Sequence, residues 1–192
     1  MLNWHLRDDG VPIEIAASIS GLNRGAFTML RARGIFGPAT SDPVPRASLL
    51  EVAAATGLTV CEMAGAVREH ILPVLTQIAD SAYVQLAIME FGRRSWDPRA
   101  VPSSSIAQLA QKVHSDEGLI ELQDRLGVRS RTTERFVIFA SGEAIFANQP
   151  PQPNPAGRCD PSIDIWQIAH RIRNNVGGVL FHGVEAGSVL AA

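Results

Sequence analysis

Between Ile13 and Phe36 the apolar positions fall into two short helical runs hinged at Gly21. Ala17 stands four residues before that glycine and Leu22 follows it. Phe27 and Leu30 point one face of the second run inward. Asn23, Arg24, Thr28 and Arg31 then face outward, Asn23 being also a good N-cap, and Gly34 stops the run as a C′ residue does. The pattern predicts helices over 12–20 and 23–33. Gly37, Pro38, Pro43 and Pro45 exclude regular structure from there to about Arg46, apart from a tight turn or short wing.

From Arg46 the same spacing returns. Ala53 precedes Gly57 by four residues, Leu58 follows, Thr59 is an N-cap residue, and Glu62 completes a capping box. Met63 and Val67 are expected inward. Gly21 and Gly57 lie 36 residues apart, but the second copy shows no outward arginine before Arg68, so it reads as a supporting helix pair. Residues 73–91 form an amphipathic helix with Leu75, Ile78, Ala79, Ala82, Leu86 and Met89 on one face, a core helix or, alternatively, a dimerisation helix.

Residues 92–105, rich in Pro, Ser and Arg, mark a boundary, so the expected domains are 1–92 and 93–192. In the second, a helix over 105–115 precedes Leu119, Leu122 and Leu126, then Gly127 and Val128. Ser130 or Thr132 is placed to cap a helix bearing Arg131 and Arg135. The β-formers of 136–139 and 144–147 flank Ser141, Gly142 and Glu143, a hairpin signal. Helix, turn, helix and hairpin in that order suggest a degenerate second winged helix. Residues 148–161 carry five prolines and read as a loop. Residues 163–173 form a short amphipathic helix with Ile165, Ile168, Ala169 and Ile172 on one side and Arg171 and Arg173 elsewhere; the glycine-rich remainder suits a strand or turn. The expected fold class is mainly α: an N-terminal helix-turn-helix or winged-helix domain, then a smaller α+β domain with a β-hairpin.

Composition changes this picture little. With 192 residues, 46% of them hydrophobic, the chain reads as globular. No apolar run approaches the roughly 18 residues that cross a bilayer, and residues 1–10 lack the features of a signal peptide. Cys61 and Cys159 lie far apart without a CxxC pair, which points to a reducing compartment, the cytoplasm, and against a zinc site or disulfide framework. Cys61 sits among apolar residues and is expected buried and inert. His70, His114, His170 and His182 are scattered, so no metal ligand set is expected. A nucleophile elbow, a phosphate loop and paired carboxylates near a histidine are all missing from the sequence, so neither catalytic residues nor a cofactor are expected.

Charge matters more. A formal net charge of −2 opposes nucleic-acid binding taken as a whole. Its distribution favours it locally: residues 22–48 carry Arg24, Arg31, Arg33 and Arg46 against Asp42, and residues 129–135 carry Arg129, Arg131 and Arg135 against Glu134. All these arginines, with Asn23 and Thr28, are candidate DNA contacts.

The segment Gly21–Phe36, GLNRGAFTMLRARGIF, resembles the recognition-helix segment of the MerR family, in which a turn glycine is followed by a helix ending in a glycine and two apolar residues. Gly57–Met63, GLTVCEM, is similar to that family's second helical pair. The resemblance covers about residues 11–72. It implies a winged helix entering the major groove, Arg24, Thr28 and Arg31 reaching DNA, and the helix over 73–91 mediating dimerisation. Related modules serve as excision factors in phages and mobile elements. The chain departs from the family in lacking a wing tyrosine over 37–48 and in placing Gly25 within the recognition helix, a cost of about 1 kcal/mol relative to Ala.

The expected function is therefore a DNA-binding transcriptional regulator, of the kind a phage or mobile element encodes. It would act on double-stranded DNA as a homodimer, with a protein partner or ligand for the C-terminal half and no membrane role. The alternatives are a protein-interaction adaptor built on a helix-turn-helix scaffold and an architectural, DNA-packaging or excision factor.

Overall fold

A computed structural model describes residues 2–6, 10–38, 46–96, 134–176 and 181–185. The expected helix over 105–115, the helical part of the second winged helix with Arg129 and Arg131, and the proline-rich segment 39–45 lie outside the described residues. Strand β1 (Leu2–Leu6) is followed by β2 (Val11–Pro12), α1 (Ile13–Ser20), α2 (Arg24–Ala32), β3 (Arg46–Ala47), α3 (Leu49–Met63) and α4 (Arg68–Ile71). A 3-10 turn over Leu72–Val74 leads into α5 (Leu75–Trp96). The C-terminal half supplies β4 (Phe136–Ala140), β5 (Glu143–Ala147), β6 (Ser162–Asp164), α6 (Ile165–Val176) and β7 (Phe181–Glu185). The architecture is mainly helical with small antiparallel sheets. β2 pairs with β3, β5 and β6 flank β4, and β7 pairs with β1 from Leu2 opposite Glu185 to Leu6 opposite Phe181.

Helix ends follow glycine. At Gly21, φ +73°, the backbone turns left-handed, its N–H bonding Ser18 O while Leu22 N–H bonds Ala17 O. The same closure recurs at Gly34, with Gly34 N–H to Arg31 O and Ile35 N–H to Leu30 O. Gly57 breaks the pattern, and with it the expected second helix pair. α3 runs uninterrupted through Gly57, because a side chain there would stand 3.0 Å from Ile78 Cγ2, so the glycine serves close packing against α5. The capping box belongs to Ser48 and Glu51 at the start of α3, and the Thr59 hydroxyl donates to the Ser20 carbonyl instead of capping a new helix. Met63, at the end of the uninterrupted α3, and Val67, the N-cap of α4 past Gly65, both expected inward, are 80% and 54% exposed.

α5 is the central helix. Every residue from Ile78 to Ala87 is buried, the polar Asp80, Ser81 and Gln85 included, so this stretch is covered by its own chain and offers no face to a second copy. Contrary to the expectation that no apolar run approaches a membrane span, the helical stretch Arg68–Met89 is by length and composition long and apolar enough to cross one; most of its apolar part is buried inside the fold, as a core helix would be.

The division at residue 92 does not separate two cores. α5 continues through Gly92 to Trp96, and one hydrophobic cluster joins Phe27, Val52, Leu58 and Ile78 to Val137, Ile163, Ile165, Ile168 and Ile172. The hairpin over 136–147 forms as expected around Ser141 and Gly142, both at positive φ. The helix expected from residue 163 starts two residues later, because Ser162–Asp164 first pairs with β4.

Candidate nucleic-acid interface

α2 has two chemically different faces. Asn23 caps it, its Oδ1 accepting from Ala26 N–H at 2.8 Å. Phe27, fully buried, stacks on Phe36 at a centroid distance of 5.2 Å, and Leu30 joins the same core. Asn23, Arg24, Gly25, Thr28, Met29 and Arg33 are all exposed. Arg24 Nη1 meets Glu14 of α1 at 3.0 Å, but both side chains are largely in solvent, where such a pair contributes little and yields readily to another anion. Arg33 has no ion pair among the described residues.

Three other candidate arginines are also engaged by their own chain. Arg31, expected outward, donates from Nε to Glu51 Oε1 at 2.6 Å, and the two side chains are only 15% and 13% exposed. Glu51 Oε2 simultaneously accepts the Ser48 N–H at 2.8 Å, so one carboxylate both completes the α3 cap and ties α2 to α3. Arg31 is thus a strut. Its position three residues beyond Thr28 did not reveal this, because Glu51 comes from another helix. Arg46 is exposed, with its Nη2 donating to Gly10 O at 2.9 Å, which fastens β3 beside the start of α1.

Arg135, just before β4, closes a clasp onto the end of β6 and the first turn of α6. Its Nη2 lies 2.6 Å from Asp164 Oδ2, its guanidinium stands 5.5 Å from the Trp166 ring centroid, and the hydrogen bond to Asp164 holds its pKa above the usual arginine value. Its side chain is 50% exposed, so the candidate DNA contact is also an internal ion-pair partner. Arg129 and Arg131 lie outside the described residues.

Other features are long-range and left no trace in sequence spacing. A side chain at Gly21 would stand 3.0 Å from Arg171 Nη2, so an arginine of α6 lies against the turn between α1 and α2. At the opposite side, the His70 ring of α4 approaches Gly142 in the hairpin turn. Among the described residues no group of three or more His, Cys, Asp or Glu gathers to hold a metal. Cys61 is buried, and its thiol is pushed up to about 12 by that burial, with the neighbouring Glu62 charge adding to it.

Compared with known proteins, the chain matches no family model, no curated protein and no solved structure.

Proposed function

We propose that the chain binds double-stranded DNA through α2 and acts as a transcriptional regulator of the kind a phage or mobile element carries. The observation behind this reading is the division of α2, which anchors Phe27 and Leu30 in the core while leaving Asn23, Arg24, Thr28 and Arg33 exposed on one short helix. In this reading α1, the Gly21 turn and α2 form a helix-turn-helix, and β2 and β3 begin a short wing. The resemblance of Gly21–Phe36 to the MerR recognition segment supports it. Arg24, Arg33 and Arg46 contact backbone phosphates, while Asn23 and Thr28 touch base edges. A single module of this kind buries on the order of 600–1,000 Å². Specific binding in the cytoplasm then requires a homodimer, formed through a surface other than the buried stretch of α5.

Fluorescence anisotropy on a labelled duplex from the sequence around the protein's own gene tests the reading. Three phosphate contacts give a slope of log K against log salt of about −3, and Arg24→Ala with Arg33→Ala is expected to reduce its magnitude by about two. Arg31 is kept, because its removal would strand the nearly buried Glu51 carboxylate. No binding by folded wild-type protein at low salt would sink the DNA reading. A second reading, the protein-interaction adaptor, would then stand, favoured by the exposed apolar side chains of Met63, Val67 and Leu72.

A further inference from the structure

Arg171 belongs to α6, far from α2 in sequence, yet its guanidinium lies against Gly21, three residues before Arg24. The left-handed backbone favours glycine there, and the guanidinium lies close beside it. The φ of +73° disfavours any side chain, and a Cβ would meet Arg171 Nη2 at 3.0 Å and Cζ at 3.9 Å.

A cation at the C-terminal end of a helix ordinarily caps its free carbonyls. At α1 that role is already filled for three of the last four carbonyls. Of its last four carbonyls, Ala17 O accepts from Leu22 N–H at 2.9 Å, Ser18 O from Gly21 N–H at 3.1 Å, and Ser20 O from the Thr59 hydroxyl. The Arg171 side chain takes part in no hydrogen bond or ion pair among the described residues, although it is partly covered. A half-buried guanidinium whose donors find no partner among the described residues is matched by an oxyanion arriving from outside, and a phosphate fits its fork geometry.

We infer that Arg171 is a further DNA-phosphate contact, supplied by the C-terminal half to the end of α2 that carries Asn23 and Arg24. The inference rests on the DNA-binding reading above. It makes α6 part of the interface, so that residues 165–176 both complete the core and extend the binding surface. It also raises the number of phosphate contacts by one.

The test is anisotropy on a labelled mixed-sequence duplex over 50 to 200 mM salt with wild type, Arg171→Ala, Arg171→Gln, Arg171→Lys and Arg158→Ala, thermal unfolding confirming that each variant is folded. Arg158 lies exposed in the proline-rich loop and controls for the loss of one positive charge. Removing Arg171 is expected to lower the salt slope by about 0.9, so that affinity falls about three- to fourfold less across that range than in wild type. Arg171→Lys retains the slope, and Arg158→Ala leaves it unchanged. A wild-type slope in both Arg171→Ala and Arg171→Gln, or an equal drop in Arg158→Ala, overturns the inference while leaving the DNA-binding reading intact. Absence of salt-sensitive binding by the wild type overturns both.

Discussion

Two stretches of this chain carry the same local pattern and do opposite things. Ala17 to Gly21 to Leu22 ends one helix and starts another, whereas Ala53 to Gly57 to Leu58 passes through the middle of α3. The difference inverts what each stretch buries. Phe27 is wholly enclosed while Met63, its counterpart 36 residues on, is 80% exposed; Gly25 is exposed while Cys61 is buried. After Gly21 the chain offers Asn23, which caps α2. After Gly57 it offers Thr59, whose hydroxyl reaches across to the Ser20 carbonyl. What decides is cover. α3 lies against α1, α5 and α6, and Ile78 closes over Gly57 to a distance that leaves little room for a side chain, with Ile168 in ordinary contact beside it. A glycine therefore signals either a turn or a close approach, and only the neighbours say which.

The largest effect expected from this comparison is at Gly57. Gly57→Val forces Ile78 aside in a packed core and should lower the unfolding free energy by about 2–3 kcal/mol in urea denaturation. A neutral result would show that α5 packs less tightly on α3 than the distances require. Gly21→Ala places a side chain at φ +73° and against Arg171, for a loss of about 1–2 kcal/mol by the same measurement. Were Gly57→Val the milder of the two, the contrast drawn between close packing and turning would be reversed.

Cys61 gives the smallest effect, and one that depends on pH. Its thiol titrates at about 12 when folded against the ordinary 9.0. The unfolded chain thus loses the proton first, so the stabilising contribution is full below pH 9.0 and fades as pH rises towards 12. At pH 10 the loss is about 1 kcal/mol, read as a lowered urea midpoint that Cys61→Ala does not show. An identical pH profile in both proteins would place Cys61 in contact with water.

The same reasoning explains how much was legible beforehand. The hairpin at Ser141 and Gly142, the turn at Gly21, the Asn23 cap and the inward Ile165, Ile168, Ala169 and Ile172 are written in residues a few positions apart, and spacing alone finds them. The ion pairs of Arg31 and Arg135 left no trace in spacing because their carboxylate partners, Glu51 and Asp164, lie 20 and 29 residues away. Arg171 beside Gly21, and β1 beside β7, join the two halves of the chain. No local periodicity encodes such pairs. The boundary expected at residue 92, from Gly92 and the polar run after it, falls inside α5, which continues to Trp96.

The burial of α3 beneath α6 also has a consequence in time. During synthesis, about a hundred residues separate the emergence of Met63 from that of Ile165, an interval of roughly 5–20 s at ordinary translation rates. Throughout it, the face of α3 that Ile168 later closes stays bare, so the nascent N-terminal half waits for its last partner with apolar surface exposed.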